Sequence, residues 1–178
     1  MKIDVNLQKV SGLGKGKILS PINAGDAGYD IFSSSYPKIV GEQYKEKLFT
    51  RIDYIEYETN VALQPGVDEF NEHEIYSLIF PRSSISTLNL HLCNSVGVID
   101  SGYTNSIKLR FKYIPQPENY YVIDGKNLLI GIDESKIYSK GDRIAQVLFM
   151  KHIHPKIFIT KKLDETERGE GGFGSTGL

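Results

Sequence analysis

Short apolar stretches alternate with polar ones along the whole chain. The segments Lys2–Leu7 and Ile107–Tyr113 switch strictly between polar and apolar positions, which predicts half-buried strands. Strands are also predicted at the apolar stretches Ile52–Val61, Ile75–Phe80, Leu128–Ile132, Ile144–Met150 and Ile157–Ile159. Because Pro, Gly, Asn or Asp fall between most of these stretches, the pattern favours an all-β barrel or sandwich.

The same pattern leaves room for one short helix and two insertions. The helix is expected over a turn or two after Pro81, where Ser83 or Ser84 is placed to cap it. The polar, Lys- and Glu-rich stretch Ser33–Tyr54 and the stretch Pro115–Lys126 interrupt the series of strands. We expect both to be surface excursions from one domain rather than a second domain.

The last eleven residues, from Arg168 onward, include five glycines and have almost nothing apolar to bury. They contain groups suited to a flat, anionic ligand. Glycine-rich backbone can turn its N–H groups toward phosphate oxygens, and Arg168 offers a planar set of donors. Ser175 and Thr176 add hydroxyls, and Phe173 can stack on a base. We expect a flexible lid for a nucleotide, although a disordered tail without a ligand has the same composition.

Composition narrows the range of functions. The 178 residues suffice for one domain with its own core, expected over residues 1–167, with the lid over 168–178. A net charge of −1 gives no electrostatic footprint for polymeric nucleic acid, whereas a single nucleotide needs only a local group of cations. Cys93 is the only cysteine, which excludes an intrachain disulfide and favours a cytoplasmic location. No apolar run has the length of a membrane span, so we expect no membrane partner.

Four further segments place polar residues in patterns that chemistry uses. Ala24–Asp30 has two glycines and ends in an acid, and Pro81–Ser84 puts a guanidinium and two hydroxyls at the predicted helix start, where N–H groups favour an anion. Asn94–Tyr103 is predicted as a hairpin with an acid and an aromatic residue three apart. Gly141–Gln146 leads into a strand that presents a Gln amide. Each alone has an ordinary structural explanation, such as a helix cap or a turn.

Taken in order with the tail, these segments resemble the five motifs of the trimeric deoxyuridine triphosphate pyrophosphatase (dUTPase) family. The resemblance runs from Ala24 to Gly177, and both insertions fall between motifs. It implies a jelly-roll-like β-barrel that assembles as a homotrimer with active sites at the subunit interfaces. It also implies hydrolysis of dUTP to dUMP and pyrophosphate with Mg²⁺.

The resemblance implies a role for each matching residue. Asp100 matches the general base that takes a proton from the water attacking the α-phosphorus. Tyr103 matches the ring that packs under the deoxyribose, and Asp30 matches the acid that reaches Mg²⁺ through water. The implied substrate contacts are Arg82, Ser83, Ser84 and Gln146 for phosphates, Asn94, Gly97 and Val98 for uracil, Ile99 and Lys108 for the substrate more generally, and Arg168, Phe173, Gly174, Ser175 and Thr176 for closure of the lid from a neighbouring subunit.

The third motif departs from the family at one point. The family usually continues Tyr-Arg-Gly, where this chain has Tyr103, Thr104 and Asn105. Asn tolerates left-handed backbone better than other non-glycine residues, so Asn105 is expected to hold the turn. If the family's arginine supports trimer packing or the geometry of the hairpin, the local scaffold has to compensate for its loss.

Two other functions stay open. A dCTP deaminase, or a bifunctional deaminase and pyrophosphatase, shares the fold but needs a catalytic Glu near the base, and no Glu lies between Asn94 and Pro117. A regulatory protein of the same fold would bind a protein partner through Ser33–Tyr54 or Pro115–Lys126, where Tyr120 and Tyr121 are of a type that interfaces favour, as is nearby Tyr113. The alternative for both insertions is that they extend strands and cover barrel edges.

Overall fold

The computed structural model of the chain describes residues 5–9, 23, 25–65, 75–123, 125, 127–169 and 171. Within them, regular structure consists of strands and short 3₁₀ helices. The strands are β1 (Val5–Lys9), β2 (Tyr29–Phe32), β3 (Lys38–Lys45), β4 (Leu48–Glu58), β5 (Val61–Pro65), β6 (Ile75–Phe80), β7 (Leu90–Leu92), β8 (Gly97–Ile99), β9 (Lys108–Tyr113), β10 (Tyr120–Ile123), β11 (Asn127–Gly131) and β12 (Arg143–Lys151). The 3₁₀ helices are Ser83–Thr87, Pro117–Asn119 and Glu134–Lys136.

The strands form two main antiparallel sheets and a separate pair. One sheet has the order β2, β12, β6, β8, and the larger one has the order β10, β11, β4, β9, β7, with β3 also paired to β4. Strands β1 and β5 pair with each other. A single buried apolar cluster contains Ile31 and Val147 of the first sheet together with Ile55 and Phe111 of the second. The two sheets therefore pack face to face over one core.

Three aromatic rings lie within this core. Tyr57 on β4, Phe111 on β9 and Tyr138 in the loop before β12 meet edge to face, with ring centroids 5.8, 6.1 and 5.4 Å apart, an arrangement that suits the ring quadrupoles. The Tyr57 hydroxyl donates to the Tyr138 carbonyl at 2.9 Å, which anchors the loop before β12. Burial raises the pKa of Tyr57, because a phenolate is poorly solvated there.

Most of the predicted strands are present, which confirms the all-β prediction. β6 has the predicted bounds Ile75–Phe80, and β9, β11 and β12 differ from their predicted bounds by one residue at each affected end. The strand predicted over Ile52–Val61 is divided between β4 and β5 by Asn60, whose φ of 55° interrupts extended backbone. The strand predicted over Lys2–Leu7 overlaps β1, which is described from Val5 onward.

The strand predicted at Ile157–Ile159 is wrong. Residues 152–160 form no strand, and the three apolar side chains are 85%, 81% and 101% exposed. An apolar stretch becomes a stable strand only where neighbouring strands offer hydrogen bonds and a face to bury, and no described strand pairs with this stretch. Ile153 and Leu163 are exposed as well. We refer to residues 152–163 as the C-terminal arm.

The predicted helix after Pro81 is present as the 3₁₀ helix Ser83–Thr87, but its predicted cap is wrong. The helix begins at Ser83, so Arg82 is the N-cap, and its guanidinium makes no side-chain capping bond because it has no acceptor atom. The 3₁₀ helices Pro117–Asn119 and Glu134–Lys136 were not expected, since three residues are too few to give a periodic pattern. No helix in the described part of the chain has the length and apolar character needed to cross a membrane.

Both predicted insertions contain regular structure that extends the larger sheet. Ser33–Tyr54 contains β3 and the first part of β4, which pair as an antiparallel hairpin. Pro115–Lys126 contains a 3₁₀ helix and β10, and β10 pairs with β11. The side chains of β3 are mostly exposed, as expected for a polar segment at the surface. The described residues thus support the alternative in which the insertions lengthen the sheet.

Candidate active site

The centre of the predicted phosphate subsite is a buried carboxylate between two arginines. Asp30 on β2 is 5% exposed. Its Oδ1 accepts a hydrogen bond from Arg82 Nε at 2.8 Å, and its Oδ2 accepts one from Arg143 Nη1 at 3.2 Å. A buried carboxylate needs such partners, because an unpaired charge is costly away from water. Asp30 therefore fixes the direction of both guanidinium groups, and this bond uses only one of the five N–H donors of Arg82.

Gln146 completes this subsite from the neighbouring strand. In the register of β12, Gln146 lies opposite Asp30 on β2 and Phe80 on β6. Its Nε2 donates to the Pro81 carbonyl at 3.3 Å. A Cβ atom at Gly28 would lie 2.7 Å from Gln146 Oε1, so a larger residue there would displace the Gln146 side chain. We refer to Arg82, Ser83, Ser84 and Gln146 as the phosphate-binding cluster.

Ser83 and Ser84 are exposed at the start of the 3₁₀ helix, next to Arg82. Ser86 Oγ donates to the Ser83 carbonyl at 2.8 Å, and Thr87 Oγ1 donates to the Ser84 carbonyl at 2.9 Å. These two bonds hold the turn from within, since hydroxyls can bond to the backbone three residues earlier. The predicted phosphate contacts are thus brought together at one end of β6 and β12.

The predicted base contacts share one cavity of about 260 Å³ next to β8. Asn94, Gly97, Val98, Ile99 and Lys108 all line it, and we refer to this as the base cavity. A Cβ atom at Gly97 would lie 3.2 Å from Ile79 Cβ and 3.5 Å from Asn94 Nδ2, so the backbone approaches closely here. Lys108 Nζ forms an ion pair with Glu58 at 2.6 Å.

Asp100 and Tyr103 lie in a tight turn directly after β8. The Tyr103 amide donates to the Asp100 carbonyl at 3.0 Å, and both side chains are exposed. Asp100 also borders a second cavity of about 560 Å³, whose other lining residues are Tyr76, Val98, Ser101, Lys151, His152 and Ile153. A carboxylate beside an open cavity is accessible to water and to a ligand, as a general base must be.

Two expectations about this segment are wrong. Asn94–Tyr103 is not a hairpin, because β7 pairs with β9 in the larger sheet whereas β8 pairs with β6 in the other. Asn105 is not among the described residues with left-handed backbone. Its side chain instead accepts a hydrogen bond from the Ser106 amide at 2.7 Å, which holds the turn locally. Nothing in the described residues accounts for Thr104.

Within one chain, the phosphate-binding cluster and Asp100 lie at opposite ends of β6. Ile99 pairs with Ser77 in the β6–β8 register, so Asp100 lies level with Tyr76, near the start of β6. Arg82 follows Tyr76 by six positions, beyond the other end of that strand. At a rise of about 3.3 Å per residue, this corresponds to a separation of about 20 Å.

Arg168 is exposed, and its Nε donates to the Gly171 carbonyl at 3.0 Å. The other predicted lid residues, Phe173, Gly174, Ser175 and Thr176, lie outside the described residues. The described residues also contain no group of three or more His, Cys, Asp or Glu side chains that could hold a metal ion. Asp30 is therefore a single carboxylate at the predicted metal position.

Sequence reasoning did not identify Arg143 as a site residue. Its partner Asp30 lies 113 positions away in the chain, so only the β2–β12 pairing brings the two side chains together. The available signal was the charged pair Asp142-Arg143 immediately before the strand that presents Gln146.

Known proteins resemble this chain over most of its length. The deoxyuridine 5'-triphosphate nucleotidohydrolase of Swinepox virus is 32% identical over 155 residues, which cover 87% of this chain and 85% of the viral protein. The mitochondrial enzyme of the same name from Dictyostelium discoideum is 30% identical over 154 residues, which cover 86% of this chain and 67% of that protein.

Structural and profile comparisons agree with these relatives. The solved structure of Staphylococcus bacteriophage 80alpha dUTPase with dUPNHPP superposes with a TM-score of 0.68 at 23% identity, covering 98% of this chain and 99% of that chain. This likeness confirms the predicted jelly-roll-like β fold. The dUTPase family profile matches residues 131–177, the segment that contains Gln146 and the glycine-rich tail. The chain belongs to the dUTPase family.

Proposed function

We propose that this chain is a dUTP diphosphatase, which hydrolyses dUTP to dUMP and pyrophosphate. One structural observation carries the proposal beyond family membership. The described residues that are expected to contact the substrate's phosphates and base fall into two clusters. One is the phosphate-binding cluster around Asp30, and the other is the base cavity beside β8. The first offers fixed cationic and amide donors, which suit a triphosphate. The second is small and lined by backbone, amide and apolar groups, which suit a flat neutral base.

The proposed chemistry assigns a proton and a leaving group to named atoms. The Asp100 carboxylate takes a proton from a water molecule as that water attacks the α-phosphorus. The bond from the α-phosphorus to the bridging oxygen breaks, and pyrophosphate leaves. Arg82, held in place by Asp30, stabilises the negative charge that shifts onto the phosphate oxygens.

Mg²⁺ is the proposed cofactor, and the residues present fit it in one way. Asp30 is a single carboxylate whose two oxygens already accept bonds from arginines, so it suits contact through water rather than direct ligation. Mg²⁺ commonly keeps several waters and takes its other ligands from substrate phosphates. When bound to the triphosphate, it would neutralise part of the phosphate charge.

A homotrimer with sites at the subunit interfaces is the proposed assembly. Two features of the chain support it. The phosphate-binding cluster and Asp100 lie about 20 Å apart along β6, given the usual rise of a strand, which favours a site completed by a second copy of the chain. The C-terminal arm also exposes a run of large apolar side chains, the kind of surface that a neighbouring chain would cover. The lid over 168–178 is proposed to close from a neighbouring subunit.

A cytoplasmic location is proposed as well, because the single cysteine suits a reducing compartment.

The deciding experiment measures pyrophosphate release from dUTP, dCTP, dTTP and UTP under identical conditions with Mg²⁺. We expect turnover of dUTP to exceed that of the other three. Ammonia release from dCTP would instead favour the deaminase. That alternative has little support in the base cavity, whose lining contains no Glu.

Binding of a regulatory protein is a second candidate function, which one observation favours. The β10–β11 hairpin exposes Tyr120, Tyr121, Val122 and Leu128, and such a patch is of the kind that interfaces use. Replacing both Tyr120 and Val122 with Ser should leave dUTP hydrolysis unchanged. The same variant should no longer bind a protein partner that binds to the unaltered protein. Equal retention by both proteins would exclude this hairpin as the contact.

A further inference from the structure

A histidine borders the same cavity as the proposed general base. The cavity of about 560 Å³ beside Asp100, which we call the Asp100 cavity, is also lined by Tyr76, Lys151 and His152. Asp100 follows β8, Tyr76 lies on β6, and His152 follows the last residue of β12. These residues are far apart in the sequence, so the pairing of the three strands is what brings them to one cavity.

The position of His152 is fixed by its backbone and by its ring. The preceding residue, Lys151, pairs with Ile75 of β6, so the chain reaches position 152 directly from a paired strand. The imidazole packs edge to face against the Tyr76 ring, with centroids 6.1 Å apart. Tyr76 lies level with Asp100 in the β6–β8 register, and residues opposite each other in a sheet share one face. The contact with Tyr76 therefore holds His152 on the face that carries Asp100.

A second histidine contacts the same imidazole without bordering the cavity. The ring centroids of His152 and His154 lie 4.1 Å apart, and His154 is not among the described residues that line the Asp100 cavity. A role in packing would be shared by both rings, since they contact each other. Contact with a ligand in the cavity would belong to His152.

The proposed reaction brings negative charge into this cavity. A general base reaches the attacking water by a hydrogen bond, so the α-phosphate lies one water molecule away from the Asp100 carboxylate. Like charges this close repel each other. The phosphate-binding cluster of the same chain lies about 20 Å away along β6 and does not offset this repulsion. Among the described residues that line the cavity, the basic side chains are Lys151 and His152.

We propose that His152 binds the α-phosphate of the substrate through an imidazole N–H, and that the charged imidazolium binds it more strongly than the neutral ring. The titratable groups around this ring are Asp100, Lys151, Tyr76 and His154. Histidine side chains change charge between about pH 5 and pH 8, so the contact makes phosphate binding depend on pH. This inference rests on the proposed hydrolysis of dUTP.

The test compares dUMP with deoxyuridine, because the two ligands differ only in the α-phosphate. In His152→Gln, the Kd for dUMP should rise about tenfold at pH 6, the size expected when a charge-assisted hydrogen bond is lost. The rise should be smaller at pH 8, where histidine is largely neutral. The ligand's own titration affects both proteins equally, so the ratio of the two Kd values isolates residue 152. The Kd for deoxyuridine should stay constant at both pH values.

Two further variants separate contact with phosphate from packing. His152→Lys keeps a positive charge at both pH values, so it should bind dUMP nearly as tightly as the unaltered protein at pH 6 and more tightly at pH 8. His154→Gln is the matched control, because it removes the histidine that contacts the same ring from outside the cavity lining. It should leave the Kd for dUMP unchanged at both pH values.

Three outcomes would overturn the inference. The first is an unchanged Kd for dUMP in His152→Gln at pH 6. The second is an equal rise at pH 6 and pH 8, which would indicate packing rather than charge. The third is an unaltered protein that binds dUMP no more tightly than deoxyuridine. If the unaltered protein fails to hydrolyse dUTP, the proposed function is rejected instead, and the dUMP titration still decides the role of His152.

Discussion

At the scale of single residues, the two acids of the site have opposite surroundings. Asp30 is buried, and both of its oxygens accept bonds from arginines. Asp100 is exposed beside a cavity. A carboxylate whose oxygens are occupied is suited to orient its neighbours, whereas an accessible one can accept a proton from water. The division of roles between the two acids therefore follows from burial and bonding.

Replacing Asp100 with Asn keeps the size of the side chain and removes the proton acceptor. We expect kcat for dUTP to fall by about 10²–10⁴, the usual worth of a general base, while the Kd for a non-hydrolysable dUTP analogue changes little. Asp53→Asn is a control on an acid outside both clusters. Near-normal turnover of Asp100→Asn would exclude Asp100 as the base.

Replacing Tyr103 with Ala tests discrimination between sugars. A ring packed under the deoxyribose leaves no space for a 2′-hydroxyl, so its loss should narrow the ratio of kcat/KM for dUTP to that for UTP. The preference for uracil over cytosine should change less, because the proposed base contacts lie in the base cavity. Tyr121→Ala, another exposed tyrosine, should leave both ratios unchanged. An unaltered dUTP/UTP ratio in Tyr103→Ala would place that ring outside the site.

At the scale of elements, strands with a clear local pattern could be predicted, and pairing could not. β9 alternates between buried and exposed positions in step with its apolar and polar residues, and β6 is an almost continuous apolar stretch, so both are visible in the sequence. β2 has two successive buried positions, and β7 has three residues, so neither shows a readable period. Ile157–Ile159 was misassigned because an apolar stretch indicates burial without indicating the partner. The Asp30–Arg143 contact was missed for the same reason.

The loop before β2 lies close to β12, and this leads to a prediction about Gly28. In Gly28→Ala, the new methyl group would lie 2.7 Å from Gln146 Oε1 and would displace that side chain. The KM for dUTP should rise several-fold, as expected for a misplaced phosphate contact, with little loss of Tm. A KM equal to that of the unaltered protein would show that Gln146 does not hold the substrate.

At the scale of the whole molecule, the separation between the phosphate-binding cluster and Asp100 predicts that two inactive variants restore dUTP hydrolysis when they assemble together. Arg82→Ala and Asp100→Asn chains should each be nearly inactive alone. When they are unfolded together and refolded at equal amounts, about a quarter of the interface sites should combine an intact Arg82 with an intact Asp100, by random assortment in a symmetric oligomer. Hydrolysis of dUTP should then return to a similar fraction of the unaltered activity.

Two controls make this experiment decisive. Mass spectrometry must show that mixed oligomers form, and an Arg82→Ala/Asp100→Asn double variant mixed with unaltered chains reports the effect of dilution alone. Mixed oligomers without any recovered activity would show that each chain builds its own site. The Arg82→Lys variant, which keeps the charge at that position, indicates whether loss of Arg82 acts through folding or through phosphate contact.

The carboxylate that joins β2 to two distant arginines has a consequence for how this chain tolerates mutation. Removing Asp30 alone leaves Arg82 and Arg143 close together without their shared counterion, so Asp30→Asn should be more harmful than its single lost charge suggests. A second change, Arg143→Gln, should then be partly beneficial in that background and harmful in the original one. With such sign epistasis, positions 30 and 143 are expected either to be substituted together or to stay unchanged. A pairwise mutational scan of these positions, scored by dUTP hydrolysis and by Tm, would measure the effect.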